Sequence, residues 1–262
     1  MISVIIPSRN EPYLTKTVDD ILAKARGDIE VITVLDGYWD NPANDKRVTI
    51  VHRGEVQGMR ANINSGVAIA KGDYILKCDA HCMFDEGFDV KLLADMEDNW
   101  IVVPRRKRLD AENWTVIDDG RPDVDYMYLS ADLHGVNWDE KNNNPALKDK
   151  KIDDLMSSQG SCWFMKRDYF YALELLDEEN YGSFWNEFQE IGLKCWLSGG
   201  RVVVNKNTWY AHLHKQSRGY SLQEKSNEFV LNWLYLGRAW DKQTLPIEYL
   251  IDKFSPVPGW NE

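Results

Sequence analysis

Residues 66–82 read GVAIAKGDYILKCDAHC, and this stretch decides the fold. Residues 58–72 have the pattern of a helix that closes at Gly72. Gly72 and Asp73 form a turn signal, and residues 74–78 are a short run of β-forming residues. The pattern therefore predicts a helix, a turn and then a strand that ends just before Asp79.

Asp79 and His81 form an Asp-x-His pair at the end of that strand. Side chains alternate between the two faces of an extended chain, so Asp79 and His81 point one way while Cys78 and Cys82 point the other. This alternation opposes a zinc site built from both cysteines and His81. An oxygen ligand beside an imidazole suits a divalent ion such as manganese. The alternative is a turn aspartate and a surface histidine.

Strand and helix signals alternate over the first hundred residues. Strand patterns occur at residues 2–7, 29–36, 47–53 and 74–78, and helix patterns at residues 12–26 and 58–72. This rhythm predicts an α/β fold with a mostly parallel central sheet and flanking helices. Ligands bind outside the carboxyl ends of the strands in such sheets. We therefore expect Asp36, Asp79, His81 and the loop at residues 7–11 to meet along one crevice.

The rest of the chain is less regular. Residues 105–157 are polar, and we expect long connections there over one face. Strand patterns follow at residues 160–170 and 199–215, with a helix near residues 187–200. A further helical stretch lies near residues 222–240.

Composition and charge exclude some classes of protein. The chain has 262 residues, 44% of them hydrophobic, and a net charge of −11, which argues against affinity of the whole surface for nucleic acid or anionic membranes. It contains no apolar run of 18 residues, and its first residues lack the basic start of a signal peptide. The four cysteines fit buried thiols in a reducing compartment. We therefore expect a cytoplasmic protein.

Five motifs occur in a familiar order: SVIIPSRNE (3–11), EVITVLDG (30–37), GVAIAKGDYILKCDAH (66–81), SGG (198–200) and YAHLHK (210–215). Together they resemble the GT-A glycosyltransferases of family 2. The likeness is closer to the polypeptide N-acetylgalactosaminyltransferases, which carry Asp-x-His where most relatives carry Asp-x-Asp. It covers residues 1–215 and is weak between residues 105 and 155. The resemblance implies a metal-dependent enzyme that takes a sugar from a UDP-sugar, with Mn²⁺ or Mg²⁺.

The resemblance also implies a division of the chain. Residues 1–215 form the GT-A catalytic domain, in which residues 1–104 are the nucleotide-binding half and residues 105–215 the half for acceptor and donor sugar. Residues 216–262 lie beyond the resemblance, and their helical pattern predicts a C-terminal helical tail. The implied metal ligands are Asp79, His81 and His212, with His214 as the less favoured alternative to His212.

The donor-binding residues implied by the resemblance are Pro7, Arg9, Glu11, Asp36, Arg60, Asp79, Gly160, Ser161, Lys215 and Arg218. Asp36 corresponds to an aspartate that binds uracil, although a turn aspartate fits equally. Relatives place an arginine near the position of Ile63. Arg60 lies one helical turn earlier on the same face and is the candidate substitute. Gly160 and Ser161 match a small pair beside the donor sugar, although close packing explains the glycine equally well. Lys215 and Arg218 carry positive charges that suit contact with the phosphates of the donor.

Glu187 and Glu190 match the two glutamates of the family's acidic loop and are the candidate catalytic residues. Inverting relatives carry their general base at the position of Phe188, and phenylalanine cannot act as a base. This departure favours transfer with retention. If transfer is inverting, Glu187 is the candidate base. The alternative for Glu190 is a structural acid paired with Lys194.

The sequence leaves the acceptor open between a hydroxymethylated DNA base of a phage-type system, a glycan and a protein Ser or Thr. A phage-encoded enzyme would act in the host cytoplasm. The cationic run Arg105, Arg106, Lys107 and Arg108 could hold DNA phosphates, or it could be a solvated loop. A different class is a non-catalytic module that binds a nucleotide sugar or glycan on the same fold. The intact set of three metal ligands argues against that module.

Overall fold

The computed structural model describes residues 1–182, 185–215 and 227–260. The strands in these residues are β1 (Ile2–Ser8), β2 (Ile29–Asp36), β3 (Val48–Arg53), β4 (Tyr74–Cys78), β5 (Cys82–Phe84), β6 (Trp100–Asp110), β7 (Thr115–Val116), β8 (Met127–Leu129), β9 (Gly135–Asn137), β10 (Ile152–Asp154), β11 (Cys162–Lys166) and β12 (Arg201–His212). The helices are α1 (Leu14–Lys24), α2 (Met59–Ile69), α3 (Phe88–Ala94), α4 (Asp139–Asn142), α5 (Pro145–Lys148), α6 (Arg167–Ala172), α7 (Glu178–Tyr181), α8 (Glu187–Leu197), α9 (Asn227–Leu231), a π-helix (Asn232–Leu236) and α10 (Ile247–Phe254).

The N-terminal half of the main sheet is parallel, as predicted. Strands β4, β1, β2 and β3 are neighbours in that order, and each pair runs in parallel. All eight residues of β2 are buried, which is typical of a parallel strand covered on both faces. Helix α2 packs closely on β1, because Gly66 leaves room for Ile5: a Cβ at Gly66 would lie 2.5 Å from Ile5 Cγ2.

The other half of the sheet is mixed. Strand β11 runs antiparallel to both β4 and β6, and β12 runs parallel to β6. The strand β12 therefore points in the same direction as β4, and both end at the same edge of the sheet. Strand β5 pairs antiparallel with the end of β12, with Cys82 opposite His212. This pairing places the turn between β4 and β5 beside the end of β12.

The cationic run at residues 105–108 lies within strand β6, so the predicted polar connection there is wrong. A strand tolerates this run because carboxylates at residues 119–125 pair with three of its four cations. The ion pairs are Arg105 with Asp125 at 2.7 Å, Lys107 with Asp123 at 3.3 Å and Arg108 with Asp119 at 3.0 Å. Arg106 is buried and donates to Asn137 Oδ1 at 3.3 Å. Three of the four cations are thus paired with carboxylates of the same chain, and the fourth is buried.

The segment at residues 227–260 packs on the rest of the protein. Phe254 of α10 contacts Trp196 of α8 edge-on, with ring centroids 5.6 Å apart. Trp260 Nε1 donates to the carbonyl of Leu129 at 2.7 Å. Among the described residues, no helix combines the length and apolar character needed to cross a membrane.

All four cysteines are free and buried, which confirms the prediction of buried thiols. Burial raises the pKa of Cys78, Cys82 and Cys162 well above the ordinary thiol value, and that of Cys195 to about 12. The thiols are therefore protonated and unreactive in the folded protein.

Candidate metal and donor site

Three side chains converge at the carboxyl edge of the sheet. Asp79 follows β4, His81 lies in the turn before β5, and His212 ends β12. His212 Nε2 is 3.1 Å from Asp79 Oδ2 and 3.1 Å from His81 Nε2. The three candidate ligand atoms all lie within 4.8 Å of one another. One carboxylate oxygen and two imidazole nitrogens in this arrangement can hold a divalent metal ion.

The protonation states of Asp79 and His212 suit a metal. Burial lowers the pKa of His212 to about 4, so this imidazole is neutral near pH 7. Burial alone would raise the pKa of Asp79, but the Lys77 ammonium and His212 outweigh burial and hold it well below its usual range. Asp79 is therefore ionised. A metal needs charged carboxylate and neutral imidazole ligands, and Asp79 and His212 meet this requirement in the folded chain.

Glu11 orients His81. His81 Nδ1 donates to Glu11 Oε2 at 2.9 Å, and in the neutral ring this tautomer keeps the lone pair on Nε2, the nitrogen that lies 3.1 Å from His212 Nε2. Burial alone would raise the pKa of Glu11, but hydrogen bonds from His81 and Lys215 lower it. The sequence placed Glu11 in the nucleoside loop, and its contact with His81 was not predicted. The two residues are 70 positions apart, so only the fold brings them together.

Glu11→Ala is expected to weaken Mn²⁺ binding by about 10- to 100-fold, as is usual when the partner of a ligating histidine is removed. Titration of the protein with Mn²⁺, followed by electron paramagnetic resonance, measures this. The matched control is Lys215→Met, because Lys215 also pairs with Glu11 but is not one of the three candidate metal ligands. Equal Mn²⁺ affinity in Glu11→Ala and the wild type would contradict the orienting role.

Glu187 begins α8, and the Lys77 ammonium group contacts both Glu187 and Asp79. Its Oε1 accepts from Trp163 Nε1 at 2.6 Å and its Oε2 from Lys77 Nζ at 3.1 Å. The residue is 6% exposed. Burial raises its pKa, and the neighbouring Lys77 opposes this. Because both oxygens are engaged inside the protein, the geometry gives no support to Glu187 as a general base.

Gly160 and Ser161 lie beside Asp79, but their side-chain positions face the interior. A Cβ at Gly160 would lie 2.5 Å from Glu187 Oε2, so the glycine makes room for that carboxylate. Ser161 Oγ bonds to Tyr210 OH at 2.8 Å in the core, and its carbonyl accepts from the amide of Asp79 at 2.9 Å. Close packing therefore accounts for both small residues.

Arg60 and Glu190 form an ion pair, and neither side chain has exposed surface. Glu190 Oε1 also accepts from Lys194 Nζ at 2.7 Å. Arg60 donates to the Trp185 carbonyl at 2.7 Å, and its guanidinium lies 4.4 Å from the centre of the Tyr181 ring. This burial favours a structural role for both residues over the predicted donor contact of Arg60 and catalytic role of Glu190. For Glu190 it supports the alternative interpretation, a structural acid paired with Lys194.

Asp36 ends β2, where its carboxylate fixes the start of α2. Its Oδ1 accepts from the amide of Gln57 at 2.7 Å and its Oδ2 from that of Gly58 at 3.1 Å. Pro7 lies within β1, and Arg9 is exposed just after that strand. Pro7 and Arg9 thus lie at the carboxyl end of β1, and Asp36 lies at that of the neighbouring strand β2, as predicted.

Two predicted phosphate contacts belong to the segment after β12. Lys215 pairs with Glu11 and is about one-third exposed. Arg218 lies outside the described residues. The donor-binding roles of Pro7, Arg9 and Asp36 also remain predictions.

The chain belongs to glycosyl transferase family 2, whose model matches residues 3–173. It is 25% identical to polypeptide N-acetylgalactosaminyltransferase 11 of Xenopus tropicalis over 92% of this chain and 42% of the relative. It is 35% identical to the glycosyltransferase GlyG of Streptococcus pneumoniae serotype 4 (strain ATCC BAA-334 / TIGR4), over 30% of each chain. The chain thus spans less than half the length of both relatives. The family predicted from the five motifs is confirmed.

Two solved structures share the fold. The crystal structure of GalNAc-T7 with UDP, GalNAc and Mn²⁺ superposes with a TM-score of 0.72 at 17% identity, over 97% of this chain and 54% of that one. The structure of Staphylococcus aureus TarS 1-349 in complex with UDP-GlcNAc has a TM-score of 0.62 at 13% identity, over 95% of this chain and 69% of that one. The likeness confirms the predicted GT-A fold.

Proposed function

We propose that the protein is a metal-dependent glycosyltransferase that moves a sugar from a UDP-sugar to an acceptor hydroxyl. The observation that carries the proposal is the convergence of Asp79, His81 and His212 at the carboxyl edge of the sheet. A divalent ion bound there supplies positive charge against the diphosphate leaving group. The GalNAc-T7 and TarS structures, which hold UDP with Mn²⁺ and UDP-GlcNAc, support Mn²⁺ and a UDP-sugar as ligands of this chain.

The proposed roles follow the position of each residue. Asp79, His81 and His212 hold the metal, and Glu11 orients His81. The loop after β1 and Asp36 contact the nucleoside. Lys215 and Arg218 contact the phosphates of the UDP-sugar. For this contact, the Lys215 ammonium group exchanges Glu11 for a phosphate oxygen.

Retention of the anomeric configuration is the stereochemistry we propose. Phe188 is buried and apolar at the position where inverting relatives carry their base, and both oxygens of Glu187 are engaged by Trp163 and Lys77. An inverting transfer needs a general base that can reach the acceptor hydroxyl, and inverting relatives use a carboxylate at the position of Phe188. In a retaining front-face transfer, the leaving phosphate takes that proton.

For the acceptor, we favour a glycan or a protein Ser or Thr hydroxyl over a DNA base. The cations at residues 105–108 were the physical argument for DNA, and they are held by carboxylates or buried within the fold. An enzyme that acts on a DNA base also flips it out of the helix and stacks it on aromatic side chains, and Trp138 and Trp163 are in the core. The match to a polypeptide N-acetylgalactosaminyltransferase supports a protein acceptor.

The proposal is tested with Mn²⁺ and a panel of UDP-sugars without acceptor. Slow hydrolysis of one donor, seen as UDP release that stops when EDTA removes the metal, is the expected result. Binding of a UDP-sugar without any turnover would favour the non-catalytic module on the same fold. A protein that neither binds nor hydrolyses any donor would overturn the proposed function.

The sugar released by that hydrolysis is expected to have the anomeric configuration of the donor. Proton NMR at early times distinguishes the α- from the β-anomer before mutarotation mixes them. A control sample of the free sugar gives the rate of mutarotation under the same conditions. Initial release of the opposite anomer would show inversion. Glu187 would then again be the candidate general base.

A further inference from the structure

Lys77 is a buried cation in a central strand, two residues before Asp79. Its side chain has no exposed surface, and β4 lies between β1 and β11 in the sheet. Burying an ammonium group is strongly unfavourable unless it is paired and hydrogen-bonded. The partners of Lys77 therefore indicate why a charge is kept at this position.

All three N–H donors of the ammonium group find acceptors. They are Asp79 Oδ1 at 2.8 Å, the Gly160 carbonyl at 2.6 Å and Glu187 Oε2 at 3.1 Å. These acceptors come from the end of β4, the turn before β11 and the start of α8. Lys77 thus ties the carboxyl end of β4 to two neighbouring segments.

The contact with Lys77 gives the two Asp79 oxygens different partners. Oδ1 accepts from Lys77, while Oδ2 faces His212 Nε2 at 3.1 Å. The carboxylate is therefore held with one oxygen toward the two imidazoles. Without Lys77 it would be free to rotate or to move away from His212.

The positive charge of Lys77 and its hydrogen bond to Asp79 have opposite expected effects on metal affinity. A positive charge near a cation site repels the ion, so Coulomb's law alone predicts that metal binding tightens when Lys77 is removed. Loss of the fixed carboxylate predicts weaker binding. The sign of the change in affinity separates the two effects.

We propose that Lys77 is a positioning residue that fixes Asp79 in the orientation a divalent metal ion requires, through the same ammonium group that holds Glu187. The proposal rests on the metal-dependent function proposed above. It concerns the binding of the metal alone, so its test needs neither donor nor acceptor.

The test is a Mn²⁺ titration of the full chain, followed by electron paramagnetic resonance, with thermal unfolding measured in parallel. Lys77→Met is expected to bind Mn²⁺ at least about tenfold more weakly than the wild type. Lys77→Arg keeps the charge and its donors and is expected to recover part of the affinity. The matched control is Lys194→Met, which removes another buried lysine, paired with Glu190, and is expected to leave Mn²⁺ affinity unchanged.

Folded Lys77→Met with wild-type or tighter Mn²⁺ affinity would overturn the positioning role and leave the proposed function intact. If Lys77→Met does not fold, the double variant Lys77→Met/Glu187→Met removes both buried charges and is measured in the same way. Weaker binding in the double variant supports the positioning role, and wild-type binding overturns it. A wild-type protein that bound no Mn²⁺ would overturn both this inference and the metal-dependent function.

Discussion

Asp79→Ala is expected to lower the Mn²⁺-dependent release of UDP from the donor by about a thousandfold, the scale at which removal of a preorganised electrostatic group affects catalysis. The substitution removes the only carboxylate of the three-residue cluster found among the described residues. It also leaves the buried Lys77 ammonium without one of its acceptors. Initial rates at several Mn²⁺ concentrations show whether added metal restores activity. His212→Ala is expected to have an effect of the same order.

The matched control for Asp79→Ala is Asp73→Ala. Asp73 precedes the same strand at its other end, and its side chain is 82% exposed. Its removal is expected to leave UDP release unchanged. Comparable rates for Asp79→Ala and the wild type at every Mn²⁺ concentration, limiting ones included, would refute the metal site as the origin of the activity.

Arg60→Ala is expected to lower the free energy of unfolding by about 3–5 kcal/mol, because it leaves Glu190 as a buried charge with one partner fewer. For a chain of this size, that corresponds to a fall of roughly 10 °C in the melting temperature. The loss reaches several elements, since Arg60 joins α2 to α8 and lies against Tyr181 of α7. Thermal and urea unfolding measure it.

Two variants test the origin of that loss. Arg60→Met/Glu190→Met replaces the charged pair with apolar side chains and is expected to destabilise less than Arg60→Ala. Arg121→Ala removes an exposed ion pair with Asp119 and is expected to leave the melting temperature almost unchanged. Equal melting temperatures for Arg60→Ala and Arg121→Ala would show that the buried pair does not contribute to stability.

The parts of this protein that could be predicted from sequence are local. The strand at residues 74–78 and the side-chain directions of Asp79 and His81 follow from the period of a strand and a nearby turn. His212 could be placed in the site only through the resemblance to a known family. The structure adds the reason for its position, which is the pairing of β5 with the end of β12.

The unpredicted parts are contacts between residues far apart in the chain. Glu11 with His81, Lys77 with Glu187 and Arg60 with Glu190 are separated by 70, 110 and 130 positions. A sequence pattern states the charge of such a residue but not its partner. The same reason explains the error at residues 105–108, whose carboxylate partners come from a later loop.

The buried thiols give this edge of the sheet a chemical reporter. Cys78 and Cys82 flank the turn that carries Asp79 and His81, and Cys162 lies opposite Cys78 in the neighbouring strand. A thiol reagent can modify them only when this part of the chain opens, so the labelling rate measures the frequency of local opening. An ion held by the turn stabilises the closed state and slows that labelling. The labelling rate of these native cysteines therefore reports whether an ion occupies the site.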